Sequence, residues 1–295
     1  MTRSIILALS YLLWQVVGFL VVGAINSLAP GLFSGTYEVL AWALILSHTL
    51  VALHLYCRDY LQGLKSDLRP CKGNLMFLSL AFGVSVLLLM EYVVTLLDFL
   101  PDINDEAFDG LYGSLAGIIG VALTGPIAEE LLFRKAITTH LKRSYSKLWK
   151  VVLVSGLVFG VMHLNPAQVV SASLSGFMLA YLFVVTGSIL PCVLLHIFNN
   201  TLAVVLDLST GQEEVTLMQL LGPALFWVLL IVLSASLVLS FLGLRRALRK
   251  SSTQSLLGFE SQGVCPDLLD HGEESVATGG GEMLPETDTV DKVEV

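Results

Sequence analysis

The sequence predicts an all-α fold, a polytopic membrane bundle of about eight transmembrane helices, and three observations carry that prediction. Of its 295 residues, 55% are hydrophobic and only 14% charged, with a mean hydropathy of +0.79. A soluble domain carries about 25% charged residues. Apolar runs of the length that crosses a bilayer, about 20 residues, follow one another along most of the chain. Lys and Arg collect in alternate connections only. These runs leave no room for a soluble domain, and the net charge of −8 offers no nucleic-acid surface.

The first run, 4–29, follows Met1-Thr2-Arg3 and is too long for the apolar part of a signal peptide, about 7–15 residues. It reads as a helix that is retained. Runs at 36–57 and 74–97 come next. The run 111–141 is the longest, about 45 Å at 1.5 Å per residue, and is expected to tilt, protrude or break near Gly125-Pro126. Runs 150–165 and 168–186 are short and divided by Asn165-Pro166; 188–206 and 216–243 complete the set. Arg3, the group Arg58, Lys65, Arg69 and Lys72, the group Lys142, Arg143, Lys147 and Lys150, and finally Arg245, Arg246, Arg249 and Lys250 fall on one side. The other side holds Asp102, Asp105, Glu106, Asp109, Asp207, Glu213 and Glu214. Basic loops stay in the cytoplasm, which places both termini there, as an even helix count requires.

Four segments follow. Residues 1–110 are N-terminal transmembrane helices, 111–206 a core bearing the polar motifs, and 207–250 the last transmembrane helix with its basic end. Residues 251–295 are acidic and rich in Ser and Gly. They are expected to be a disordered cytoplasmic tail, because they bury too little apolar surface to offset ordering entropy. Cys57, Cys71, Cys192 and Cys265 show no CxxC spacing, and no disulfide is expected.

The chemistry lies in the core. Glu129 and Glu130 stand inside an apolar run, where one carboxylate costs about 2.5–3.5 kcal/mol on insertion scales. Glu130 and Arg134 are four apart and are expected to pair along the helix. Glu129, turned about 100° away, is then free to face a cavity. His163 follows Phe159 at the end of the fifth run, and His196 and Asn200, four apart, share a face of the seventh. Counting from the nearest basic edge puts Glu129 and His163 about 20 Å deep and His196 about 14 Å deep. Each residue alone has a bland reading: a helix–helix hydrogen bond for a histidine or for Asn200, a structural pair for Glu130 and Arg134. Three helices bringing polar groups to one layer point instead to a site. Asn199, His48, His54, His140 and His271 have no such company and carry no role in this reading, and Glu91 has none assigned.

Glu129-Glu130-x-x-x-Arg134, Phe159-x-x-x-His163, and Thr186-Gly187-Ser188 leading to His196-x-x-x-Asn200 together resemble the CPBP family of intramembrane proteases. That family contains the CAAX prenyl endopeptidases and bacterial relatives linked to bacteriocin processing and self-immunity. The resemblance covers about residues 111–205 and implies a CPBP-like catalytic core, hence a peptide hydrolase. Glu129 would be the general base with His163 holding the water, and His196 and Asn200 would stabilise the oxyanion. Glu130, Arg134 and Phe159 would support them. The same residue types serve a metal version, in which Glu129, His163 and His196 hold Zn²⁺ with water as fourth ligand. The sequence does not separate the metallo and glutamate types, and the soluble HExxH pattern is absent.

The expected partners are the lipid bilayer and a peptide substrate at the membrane, reaching the site from the cytoplasmic side. The expected location is a bacterial plasma membrane. The alternative is a non-catalytic scaffold or bacteriocin-immunity protein using the same fold. A proton-coupled carrier is a third class, weakened by the lack of internal repeats.

Overall fold

The computed structural model describes residues 2–71, 74–95, 99–101, 103, 105–210 and 217–257. Lys72, Asp102, Glu213, Glu214, the side chain of Glu91, and the tail from residue 258 on, with Cys265 and His271, lie outside the described residues. Every described element is helical. The principal helices are α1 (Thr2–Leu28), α2 (Thr36–Cys57), α3 (Leu75–Thr95), α4 (Leu115–Ser144), α5 (Leu148–Val161), α6 (Pro166–Thr186), α7 (Leu190–Thr210) and α8 (Pro223–Leu257). Each apolar run of the sequence has its helix. Six of these helices are long and apolar enough to cross a bilayer, while α5 and the apolar part of α3, Leu75–Met90, are shorter. Leu20, Phe77, Ile231 and Leu239 are each about two-thirds or more exposed. Such apolar surface is what lipid covers in an integral multi-pass membrane protein.

Helix α4 is the centre of the bundle, touching α1, α2, α5, α6 and α7. It starts where Ser114 accepts a hydrogen bond from the Gly117 N–H at 3.0 Å, an N-cap. Of the tilt, protrusion or break expected near Gly125-Pro126, the break does not occur. The helix instead widens to π geometry over Gly120–Thr124, where the Gly125 N–H reaches back five residues to the Gly120 carbonyl. A residue at 126 with an N–H would take the Val121 carbonyl in that register, and proline cannot. Asn200 Nδ2 donates to that carbonyl at 2.9 Å. A second π segment covers Leu131–Thr138, so Glu129 and Glu130 sit on a short α-helical stretch, Gly125–Glu130, between two wide ones. Such bulges occur often at functional sites.

Helix α5 ends at Val161, four residues before the run 150–165 does. Leu164 adopts φ 54, a left-handed conformation rare outside glycine, and Pro166 then opens α6 at its first turn. Consequently His163 lies in a turn and not on the helix expected to carry it. Helices α5 and α6 meet through small residues. A methyl group on Gly156 would overlap the Phe177 ring, and one on Gly160 would overlap the Ser173 hydroxyl. The turn from α6 to α7 closes on Gly187 in the left-handed region (φ 66), the usual helix C-terminal device.

The end of the bundle that bears the basic segments is packed solid. Leu55, Ile137, Leu141, Leu182 and Ile189 there are fully buried. Lys135 pairs with Asp67, and the Thr138 and Ser155 hydroxyls bond at 2.7 Å. The segment between α2 and α3 is tied beneath the α6–α7 turn. The Ile189 N–H donates to the Asp67 carbonyl at 2.8 Å and the Ser188 hydroxyl to the Arg69 carbonyl at 2.9 Å.

Candidate active site

A cavity of about 740 Å³ runs from the middle of the bundle to the end that bears the acidic connections, and Glu129, Phe159, His163, His196 and Asn200 all line it. On the α-helical stretch Gly125–Glu130 the two carboxylates point about 100° apart. Glu129 is 16% exposed and reaches the cavity; Glu130 and Arg134 are fully buried behind it.

Glu130 has two partners. Arg134 Nη1 lies 3.1 Å from its Oε1, the ion pair the spacing predicts, and His196 Nδ1 bonds the same oxygen at 2.8 Å. Arg134 makes no hydrogen bond within the structure, and its guanidinium carbon stands 4.4 Å from the centroid of the Phe159 ring. A cation over an aromatic face recovers part of the desolvation cost. Phe159 also meets both histidines edge to face, His163 at 4.9 Å and His196 at 5.7 Å between ring centres. One aromatic ring therefore fixes the guanidinium and both imidazoles.

The hydrogen bonds determine what the histidines present. A carbonyl only accepts, so the 3.0 Å bond from His163 Nδ1 to the Phe159 carbonyl puts a proton on Nδ1. The carboxylate of Glu130 likewise accepts from His196 Nδ1. When neutral, each ring then offers an Nε2 lone pair to its surroundings. His196 Nε2 lies 3.7 Å from Glu129 Oε2, and the Tyr11 hydroxyl donates to Glu129 Oε1 at 2.9 Å.

Both tautomers have the form in which a histidine binds zinc, with Nδ1–H held by an acceptor. Yet among the described residues no three His, Cys, Asp or Glu side chains come together closely enough to hold one ion. Glu129, His163 and His196 share the cavity without forming a ligand set in this structure.

Sequence reasoning missed Tyr11, His48 and Asn199. Tyr11 is on α1, and His48 on α2 bonds the Thr124 hydroxyl at 3.0 Å; both line the cavity. Asn199 lines it too, with Nδ2 donating to the Asn200 side-chain oxygen Oδ1 at 3.4 Å. No short-range spacing links residues 11 and 48 to residue 129, so only long-range packing reveals them. His54 and His140 stay away from the cavity.

The cavity also opens in an unexpected direction. Its lining includes Asp109, Tyr112 and Asp207, at the helix ends remote from the basic segments, and no residue of the packed floor between Lys135 and Lys150. Approach from the basic side, expected from the sequence, meets that floor.

Residues 112–202 match the family model described as "Type II CAAX prenyl endopeptidase Rce1-like". A Bacillus subtilis (strain 168) protein named "Putative membrane peptidase YdiL" is 30% identical over 113 residues, 37% of this chain and 46% of that protein. The chain thus spans about half the length of the curated relative it matches. No solved structure matches. The likeness read from Glu129, Phe159, His163, His196 and Asn200 is therefore met by an independent match over the same stretch of chain, which is similar to the CAAX prenyl endopeptidases.

Proposed function

We propose that this protein is an intramembrane endopeptidase of the glutamate type that hydrolyses a peptide bond of a membrane-associated substrate. One observation carries the reading: a cavity-facing carboxylate, Glu129, held by the Tyr11 hydroxyl and standing 3.7 Å from His196 Nε2. A carboxylate so placed takes a proton from water as the water attacks the scissile carbonyl. Tyr11 occupies Oε1 and leaves Oε2 to act, and the His163 Nε2 lone pair accepts the water's second hydrogen. The oxyanion that forms needs donors. His196 donates from Nε2 in its doubly protonated form, while Glu130 accepts from Nδ1 and fixes the ring, as a buried acid does behind a catalytic histidine. Asn200 spends one amide hydrogen on Val121 and has the other to offer. The proton taken by Glu129 passes to the leaving amine, which completes hydrolysis. Glu130, Arg134 and Phe159 act through His196 and His163 and are positioning residues. A bacterial plasma membrane is the proposed location.

The test is cleavage of a fluorogenic peptide library by detergent-purified protein, wild type beside Glu129→Gln, with and without a zinc chelator. Cleavage that needs Glu129 and ignores the chelator is expected. Equal cleavage by both proteins would sink the assignment, and loss of activity with chelator would replace the metal-free chemistry with a metal one.

A further inference from the structure

Resting on the reading that peptide is cut in this cavity, we propose that substrate reaches it from the non-cytoplasmic side of the membrane, as a polypeptide segment already across the bilayer. Basic connections mark the cytoplasmic side, and the cavity runs from mid-bundle, at Tyr11, Phe133 and Leu179, to the opposite end, with none of the basic segments in its lining. Its rim is drawn from the short helix Asp105–Tyr112, the start of α6 at Gln168 and the far end of α7 at Asp207. Glu129 is fourteen residues from the start of α4, about 21 Å of helix, and the cavity fills that depth. Phe133 is the last residue of α4 to line the cavity; below it α4 continues to Ser144 with Ile137 and Leu141 fully buried. Water and peptide have no channel through interiors packed to that density.

The lining also limits the kind of peptide. Among the described residues no Lys or Arg lines the cavity, whereas Asp109 and Asp207 do. A terminal carboxylate bound near the reacting atoms requires a cation or a nest of N–H donors to meet it. The lining supplies no such cation, which suits an internal bond in an uncharged or basic segment over one close to a free C-terminus.

The test uses the full chain in bacterial cells. Ala107→Cys and Gln168→Cys place thiols on the rim, and Cys57, exposed at the end of α2 on the basic side, marks the opposite face. In intact cells, a membrane-impermeant maleimide should label both introduced thiols and leave Cys57 unmodified until the cells are permeabilised. Rim thiols that react only together with Cys57, or that stay unreactive even in detergent, would overturn the proposal. Right-side-out and inverted vesicles then receive an impermeant fluorogenic peptide carrying an internal scissile bond. Cleavage by the right-side-out vesicles alone is expected, and cleavage confined to inverted ones would overturn it. No cleavage by any preparation, detergent included, would remove the proteolytic reading, while the thiol labelling would still decide which way the cavity opens.

Discussion

Helix α4 runs through two regions that share its backbone and little else. Toward the acidic connections it borders a largely apolar cavity that holds a few polar groups; toward the basic ones it is locked in a dry core with Leu55, Ile137 and Leu141 fully buried. The boundary falls between two consecutive residues. Glu129 faces the cavity and is held by a neutral hydroxyl, whereas Glu130 is buried and neutralised by Arg134 and His196. A rotation of about 100° per residue divides the two carboxylates, and the π segments on each side set where that rotation falls. The contrast teaches that adjacent, identical side chains can belong to different machines. One serves chemistry and the other holds the histidine that assists it.

Substitutions can break that contrast. The largest effect is expected for Glu129→Gln, which should lower the kcat of peptide cleavage by about 10²–10⁴-fold, the usual worth of a general base. Its unfolding midpoint in detergent should stay near wild type; a drop as large as that of a core mutant would assign Glu129 to the packed half. Next comes Arg134→Met, which strands Glu130. Breaking a buried ion pair costs about 3–5 kcal/mol, read as a lower unfolding midpoint. The double variant Glu130→Gln, Arg134→Met should recover most of that stability and still cleave slowly, because His196 loses its acceptor. Tyr11→Phe removes one hydrogen bond to a charged group, about 1.5–3 kcal/mol. Cleavage should slow by roughly tenfold or more on that basis, with unchanged stability. The smallest effect belongs to Asn200→Ala measured by thermal unfolding, about 0.6 kcal/mol for a typical interhelical hydrogen bond in a membrane. Introducing Pro126→Ala, whose N–H can take the Val121 carbonyl, should make Asn200→Ala nearly neutral for stability. An undiminished cost in that background would mean that Asn200 does not stand in for the proline's missing donor.

Much of this was legible in advance. The apolar runs fixed the eight helices because a bilayer demands length and hydrophobicity within each segment. The Glu130–Arg134 pair followed from a four-residue spacing. The helix end before His163 was misplaced because a run of apolar residues gives no sign that Leu164 turns left-handed. Of the tilt, protrusion or break expected near Gly125-Pro126, the break is absent: a π turn absorbs the proline, and Asn200, 74 residues further on, donates to the Val121 carbonyl. His48 was set aside for want of company, and its company came from another helix, at Thr124.

By itself the sequence determined what each segment must be: which stretches enter lipid, which carry charge, and which side the basic connections keep. Those are local properties, decided by the transfer energies of side chains within about one helix length. The tertiary structure decided which polar groups meet. Tyr11 on Glu129, His196 on Glu130, Asn200 on Val121, and a cavity open at the acidic end all depend on helix rotations and register. Those are set by close packing among helices distant in sequence, to which no local pattern refers.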